Sequence, residues 1–170
     1  EIFARAVGDD LPGALIFVGD GTDRPVIEAR ARELGLFERI VITGLIPHKQ
    51  AMAVLKACDL SIAPMQGSAL LETLAAGVAT IAYDHETHAA LITNGENGVL
   101  VPHRDIDAAA VVLRRWMMNP DEAKGFGEAA KRRVEQKYNV TAMRDLLLEP
   151  FIQAYSMTQH RQLRKLESRR

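Results

Sequence analysis

A single cysteine, Cys58, is the whole thiol complement of the chain. No internal disulfide can form, and a reducing compartment such as the cytoplasm is the natural setting. No stretch approaches the ~18 consecutive apolar residues of a membrane span. Charge of one sign is missing too: 21 basic residues stand against 22 acidic ones, for a formal net charge of -1. That balance leaves no electrostatic footprint for nucleic acid. The first residues, Glu1 to Val7, lack the charged-then-apolar layout of a signal peptide. They read as a helix already under way, as if the domain began upstream. Internal repeats and low-complexity tracts are absent. What is present is ordinary: 170 residues, 48% hydrophobic and 25% charged. This suits one globular domain that buries roughly 70% of its unfolded surface.

Short apolar runs alternate with amphipathic segments. The runs are 14–18, 40–43, 60–63, 79–83 and 99–101, and they end at Gly19, Gly44, Pro64, Asp84 and Pro102. Runs of this length and composition suit strands buried on both faces of a parallel sheet. Helical patterns lie between them. Asp23 is placed to cap a helix that has Pro25 in its first turn and stops at Gly35. Further helices are expected over 50–58, over 68–76 with Gly77 as the stop, over 86–93, 108–118 and 122–138, and again from about 142 with Pro150 as a kink. Strict alternation of strand and helix predicts an α/β, Rossmann-like, doubly wound parallel sheet in one domain. Ligands in such sheets bind beyond the carboxyl ends of the strands. The segments to weigh are therefore 19–22, 44–48, 64–68 and 84–88.

Gly19-Asp20-Gly21 lies between a strand and a helix. It reads either as a tight turn or as a backbone approach to a phosphate at a helix N-terminus. A dinucleotide fingerprint needs a third glycine where Arg24 stands. In the segment Pro64 to Gly77, Gly67 removes side-chain bulk at the turn. Ser68 is expected to cap the helix that follows, leaving free backbone N–H groups as an anion cradle. Glu72 lies one turn further in, among Leu70, Leu71, Leu74 and Ala75. A carboxylate beside so apolar a face needs a partner such as a sugar diol; the other reading is an exposed carboxylate that favours the helix dipole. His85 and His88 are spaced i, i+3 rather than i, i+4, so no metal site is assigned, and 85–88 reads as a polar loop and helix start. Cys58 reads as a small buried hydrophobe. No serine sits in a nucleophile elbow, and no catalytic residue is assigned. The tail from His160 to Arg170 holds five basic residues against Glu167. It is either a solvated helix end or a peripheral contact with an anionic membrane face.

At these residues the chain resembles the C-terminal domain of GT-B-fold glycosyltransferases of family 4, also called group 1. Five pieces stand in the family's order: Leu15 to Gly21, Arg39 to Ile46, Ala57 to Pro64, Glu72 to Val78, and Asn94 to Val101. The resemblance implies a site for a nucleoside-diphosphate sugar, used as substrate with no further cofactor. Glu72 matches the second glutamate of the family's E-x7-E pair, which holds the ribose. Gly67 and Ser68 fall where backbone groups meet the diphosphate and sugar. The loop of Gly44, Leu45, Ile46 and His48 matches the one along the nucleobase, and Gly19 and Gly21 match the first G-x-G turn. The whole protein is then expected to transfer a hexosyl unit, with retention and without a catalytic metal, into a polysaccharide or glycolipid. There are two departures. Pro64 stands where the first glutamate of the pair is expected. The family's opening strand, its G-R turn and downstream lysine, and the acceptor-binding N-terminal domain have no counterpart in this sequence, so the chain reads as a part, or as a subunit that needs a partner, and is expected to be inactive alone. Two rival readings remain: an NAD-binding Rossmann domain of an oxidoreductase using Gly19 and Gly21, and a degenerate, non-catalytic scaffold module.

Overall fold

The computed structural model describes residues 1–144 apart from Gln66 and Glu86, together with 148–152 and Tyr155; the side chain of Ser68 also lies outside the description. The basic tail from His160 onward falls outside the described residues. The chain divides into two compact units, Glu1–Arg132 and Arg133–Arg170.

The first unit alternates as the apolar periodicity predicts: α1 (Ile2–Val7), β1 (Leu15–Phe17), α2 (Arg24–Glu33), β2 (Ile40–Ile42), α3 (His48–Lys56), β3 (Leu60–Ala63), α4 (Ser68–Ala76), β4 (Ala79–Asp84), α5 (His88–Leu91), β5 (Val99–Pro102), α6 (Ile106–Met118), and α7 (Pro120–Lys137), which runs on into the second unit. All strand pairs are parallel. The expected fold class is therefore present, with one difference. The five strands form two sheets, β1-β2 and β3-β4-β5, instead of one. Among the described residues β1 and β3 each pair on one side only.

A single core nevertheless joins the two sheets. Phe3, Ala6 and Val7 of α1 pack with Ala109, Leu113 and Trp116 of α6, with Ile81 of β4 and Val101 of β5; Leu15, Ile40, Leu60 and Ile62 lean against the same cluster. Trp116 and Phe126 bring their rings to 5.0 Å in a tilted pair. Arg39 ties the chain before β1 to this layer, donating from Nε to the Gly13 carbonyl at 2.9 Å and from Nη2 to the Leu11 carbonyl at 2.8 Å.

Local chemistry explains the helix limits, and in places corrects the expected ones. Asp105 caps α6 by accepting from the Ala108 N–H at 2.8 Å, so that helix starts two residues earlier than its apolar pattern indicates. The cap of α4 is Gly67 and Ser68 is its first helical residue, so the cap falls one position before the expected one. Helix α3 likewise starts at His48 rather than at residue 50, because Pro47 at its cap cannot continue an N–H ladder and sets the entry. At the other end of α4, Gly77 takes the left-handed C-cap conformation (φ 78°). Helix α7 crosses there so closely that a Cβ on Gly127 would lie 2.1 Å from the Gly77 carbonyl oxygen.

In the second unit, Asn139 accepts from the Ala142 N–H at 2.8 Å and donates to the Glu135 carbonyl at 2.7 Å. Helical backbone follows over 140–144 and 148–152, in keeping with a helix from about 142.

Candidate functional site

The segments that leave the carboxyl ends of β1 and β2 touch. Gly19 and Gly44 form an isolated antiparallel bridge. Both residues have positive φ, 136° and 69°, which glycine adopts without strain. The Thr43 hydroxyl accepts from the Gly19 N–H at 3.2 Å, and the Thr43 N–H donates to the Phe17 carbonyl at 3.0 Å. A Cβ added to Gly19 or Gly21 would meet nothing within 4 Å, and at Gly67 it would only come within 4.0 Å of the Ala69 nitrogen. Packing within the chain therefore does not account for glycine at Gly21 or Gly67.

Glycine 44 leads through Leu45 and Ile46 to Pro47 and α3. Leu45 projects almost fully into solvent, at 87% exposure, as does Met65 before α4, at 75%. Where α3 begins, His48 Nε2 lies 3.1 Å from Glu72 Oε1 on α4. This contact gives Glu72 the polar partner that its apolar neighbours demand. The Glu72 side chain is 38% exposed, so the pair sits at the surface where a ligand can reach it.

The structure thus brings together Gly19 with Gly44, and His48 with Glu72, and it places Gly67 and Ser68 at the N-terminus of the helix that carries Glu72. In that first turn the Leu70 N–H is taken by the Gly67 carbonyl at 3.2 Å, and the N–H groups ahead of it have no acceptor one turn back in their own helix and favour an anion. Two residues of this region were not singled out from the sequence for what they do. Thr43 holds the Gly19 turn through its hydroxyl. Arg24 at the head of α2 bonds Glu28 at 3.0 Å and Asp20 at 3.3 Å. The Glu28 hydrogen bond and the Asp20 charge raise its pKa and hold the cation to these two carboxylates. The only sequence signal for this arrangement was the i, i+4 spacing of Asp20, Arg24 and Glu28.

The 85–88 segment is more than a polar loop. His88 is 1% exposed and bonds the Tyr83 carbonyl through Nδ1 at 2.7 Å, which anchors the loop after β4. The His85 and His103 rings stack with centroids 4.1 Å apart. Among the described residues, no group of three or more His, Cys, Asp or Glu side chains is placed to hold a metal ion. Cys58 is half-buried rather than buried; it donates to the Val54 carbonyl at 3.3 Å, and burial, then the Asp59 charge, pushes its thiol pKa up. A concavity of about 570 Å³ is lined by Glu1, Arg5, Asp9, Gly35, Leu36 and Arg39. It adjoins the start of β2, not the carboxyl ends of the strands. Among the described residues no helix is long and apolar enough to cross a membrane.

Known proteins resemble this chain in sequence and in fold. An exopolysaccharide phosphotransferase of Streptomyces coelicolor is 33% identical over 136 residues, which is 76% of this chain and 14% of that protein. Among solved structures, sucrose-phosphate synthase from Thermosynechococcus elongatus superposes with a TM-score of 0.80 at 24% identity, covering 92% of this chain and 42% of that one. HepE of Anabaena, solved in complex with UDP-glucose, gives a TM-score of 0.73 at 22% identity over 89% of this chain and 44% of that one. At these identities the superpositions establish the fold. The chain spans 14% and 35% of the first two curated relatives it matches. Residues 6–133, well over half of the sequence, match the family model for glycosyl transferases group 1, and the chain belongs to that family.

Proposed function

We propose that this chain is the nucleotide-sugar-binding part of a two-domain glycosyltransferase. The whole protein transfers a hexosyl unit from a nucleoside-diphosphate sugar to an acceptor, releasing the nucleoside diphosphate, with retention and without a catalytic metal. The observation that carries this reading is the convergence of the loop after β2 with α4 through His48 and Glu72. That convergence sets a carboxylate one turn inside a helix N-terminus, a spacing that suits a nucleoside diphosphate. The solved complex of the structural neighbour HepE with UDP-glucose supports the same donor class.

In this reading Glu72 accepts hydrogen bonds from the ribose diol. Gly67, Ser68 and the first turn of α4 face the diphosphate and sugar, where the helix dipole stabilises the charge that builds on the leaving group. Gly44, Leu45, Ile46 and His48 run along the base, and Gly19 and Gly21 close the same edge. Pro64 offers no carboxylate to the transferred sugar, so the groups that select the hexose lie elsewhere. The cations for the diphosphate and the acceptor-binding domain come from beyond these residues, and the chain is inactive alone. The product is a polysaccharide or glycolipid made in the cytoplasm. An NAD-binding reading is weaker, because Arg24 occupies the third-glycine position and is held there by Asp20 and Glu28.

Calorimetric titration with UDP, GDP, ADP and NAD tests this. One nucleoside diphosphate is expected to bind, and Glu72→Ala should weaken it about tenfold, or roughly 1.4 kcal/mol. Binding of NAD alone overturns the reading. If nothing binds, the chain is a scaffold module or depends on the diphosphate-binding cations, and titration of a longer chain that carries those cations separates the two.

A further inference from the structure

We propose that His48 is a positioning residue for Glu72: it holds that carboxylate ready for the ribose diol and so sets the preference for ribo- over 2′-deoxynucleotides. This rests on the donor-site reading above. The contact joins two separate elements. His48 is the first residue of α3 and Glu72 lies in the second turn of α4, 24 positions away in sequence and 3.1 Å apart in space.

A carboxylate accepts hydrogen bonds and does not donate, so the proton of this contact belongs to His48 Nε2. The imidazole therefore engages Oε1 as a donor and leaves Oε2, together with the second lone pair of Oε1, to accept from a ligand. A ribose diol carries two O–H donors, which matches what remains. Without His48, the Glu72 side chain would sample its rotamers freely at a site that is 38% exposed. It would have to be immobilised when the ligand arrives, and ordering a side chain of this length on binding typically costs a small multiple of thermal energy. The loop supports the histidine in turn. Pro47, with φ near -56°, fixes the entry to α3, so the ring starts from a defined backbone position. At 73% exposure the His48 side chain adds little to the core. Its placement serves the carboxylate rather than the fold.

A residue that only stacks on the base would affect ribo- and 2′-deoxynucleotides alike. A residue that acts through Glu72 affects the ribonucleotide selectively. The test is calorimetry on the full chain with UDP and 2′-deoxy-UDP, and with the guanine pair if that is the base bound. The variants are His48→Ala, His48→Gln, Glu72→Ala and the double variant His48→Ala/Glu72→Ala. His48→Ala is expected to weaken the ribonucleotide about three- to tenfold and to leave the 2′-deoxynucleotide within about twofold. His48→Gln, which keeps an N–H donor, should recover most of the loss. In the Glu72→Ala background, His48→Ala should have no further effect. If His48→Ala weakens both nucleotides equally, or changes neither while Glu72→Ala still costs tenfold, the positioning role is overturned and the donor-site reading stands. If Glu72→Ala is silent, or if no nucleotide binds even a longer chain that carries the diphosphate-binding cations, both fall together.

Discussion

The two sheets of the first unit are built from similar apolar residues but are finished very differently. In β3-β4-β5, strand β4 pairs on both sides, its residues Ala79 to Ala82 are buried, and α4 covers it with Leu70 and Leu74 at 1% and 0% exposure. In β1-β2 no residue is buried; Ile16 and Val41 face each other across the register at 38% and 49% exposure. Helix α3 is apolar along Ala51, Met52, Val54 and Leu55, yet it buries none of its residues. Similar residues therefore sit in a dense core around β4, which pairs on both sides, and in a more exposed layer in β1-β2. The candidate site draws on both halves. Glu72 rides on the dense half, whereas Gly19, Gly44 and His48 lie on the loose half.

The strongest way to sharpen this contrast is a matched pair of truncations. Leu74→Ala should lower unfolding free energy by about 3–5 kcal/mol, because a fully buried side chain leaves a cavity between α4 and β4. Val41→Ala, half exposed, should cost about 1 kcal/mol or less. Urea midpoints at unchanged m-value measure both. Equal losses would break the comparison.

Next in size is Gly127→Ala. Alanine ordinarily helps a helix interior by ~0.5–1 kcal/mol. At this position its Cβ would fall 2.1 Å from the Gly77 carbonyl oxygen, against backbone that cannot swing aside. The clash wins, and the variant should lose about 3 kcal/mol, at the upper end of overpacking penalties. Gly125→Ala, with open space around it, is the control and should be neutral or slightly stabilising. A thermal melt of the two variants side by side reads the difference.

The parts of this architecture that the sequence made legible are the ones that rest on local periodicity. All five strands and the helices between them follow from runs such as 79–83 and from stops such as Gly77. The split of the sheet was not legible, because pairing is a long-range property: Leu15 looks the same whether its second neighbour is present or not. At the site, Glu72 stood out through its apolar surroundings and His48 through the family resemblance, and only the fold shows that the two meet. Thr43 and Arg24 were missed for the same reason. A hydroxyl bonded to a backbone N–H of another strand leaves no periodic trace, and Arg24 drew notice only as an absent glycine. Ser68 shows the opposite error: a good capping residue was overruled by one position because the extended backbone of Gly67 already starts the helix.

Amide hydrogen exchange should resolve the two halves without any substitution. The β4 amides bonded to β3 and β5 are expected to exchange only through global unfolding. Those of β1 and β2 should exchange through local opening, at least ~2 kcal/mol below the global free energy, because one edge of β1 has no backbone partner among the described residues. Protection that is uniform across both sheets would mean that the shared core of Leu15, Ile40, Leu60 and Ile62 couples them into one cooperative unit.

The smallest effect separates two aspartates that look alike in sequence, each placed just before a helix. Asp105 accepts the Ala108 N–H at 2.8 Å, on the dense half, so Asp105→Ala removes a formed cap and should cost about 1 kcal/mol. Asp23 stands at the cap of α2, on the loose half, but with an αR backbone and no side-chain cap hydrogen bond. Asp23→Ala should therefore cost no more than the few tenths of a kcal/mol due to a negative charge beside a helix N-terminus, and added salt should screen that away. If the two substitutions cost the same at high salt, Asp23 closes its cap in solution, and the loose half is better ordered at α2 than its exposed strands imply.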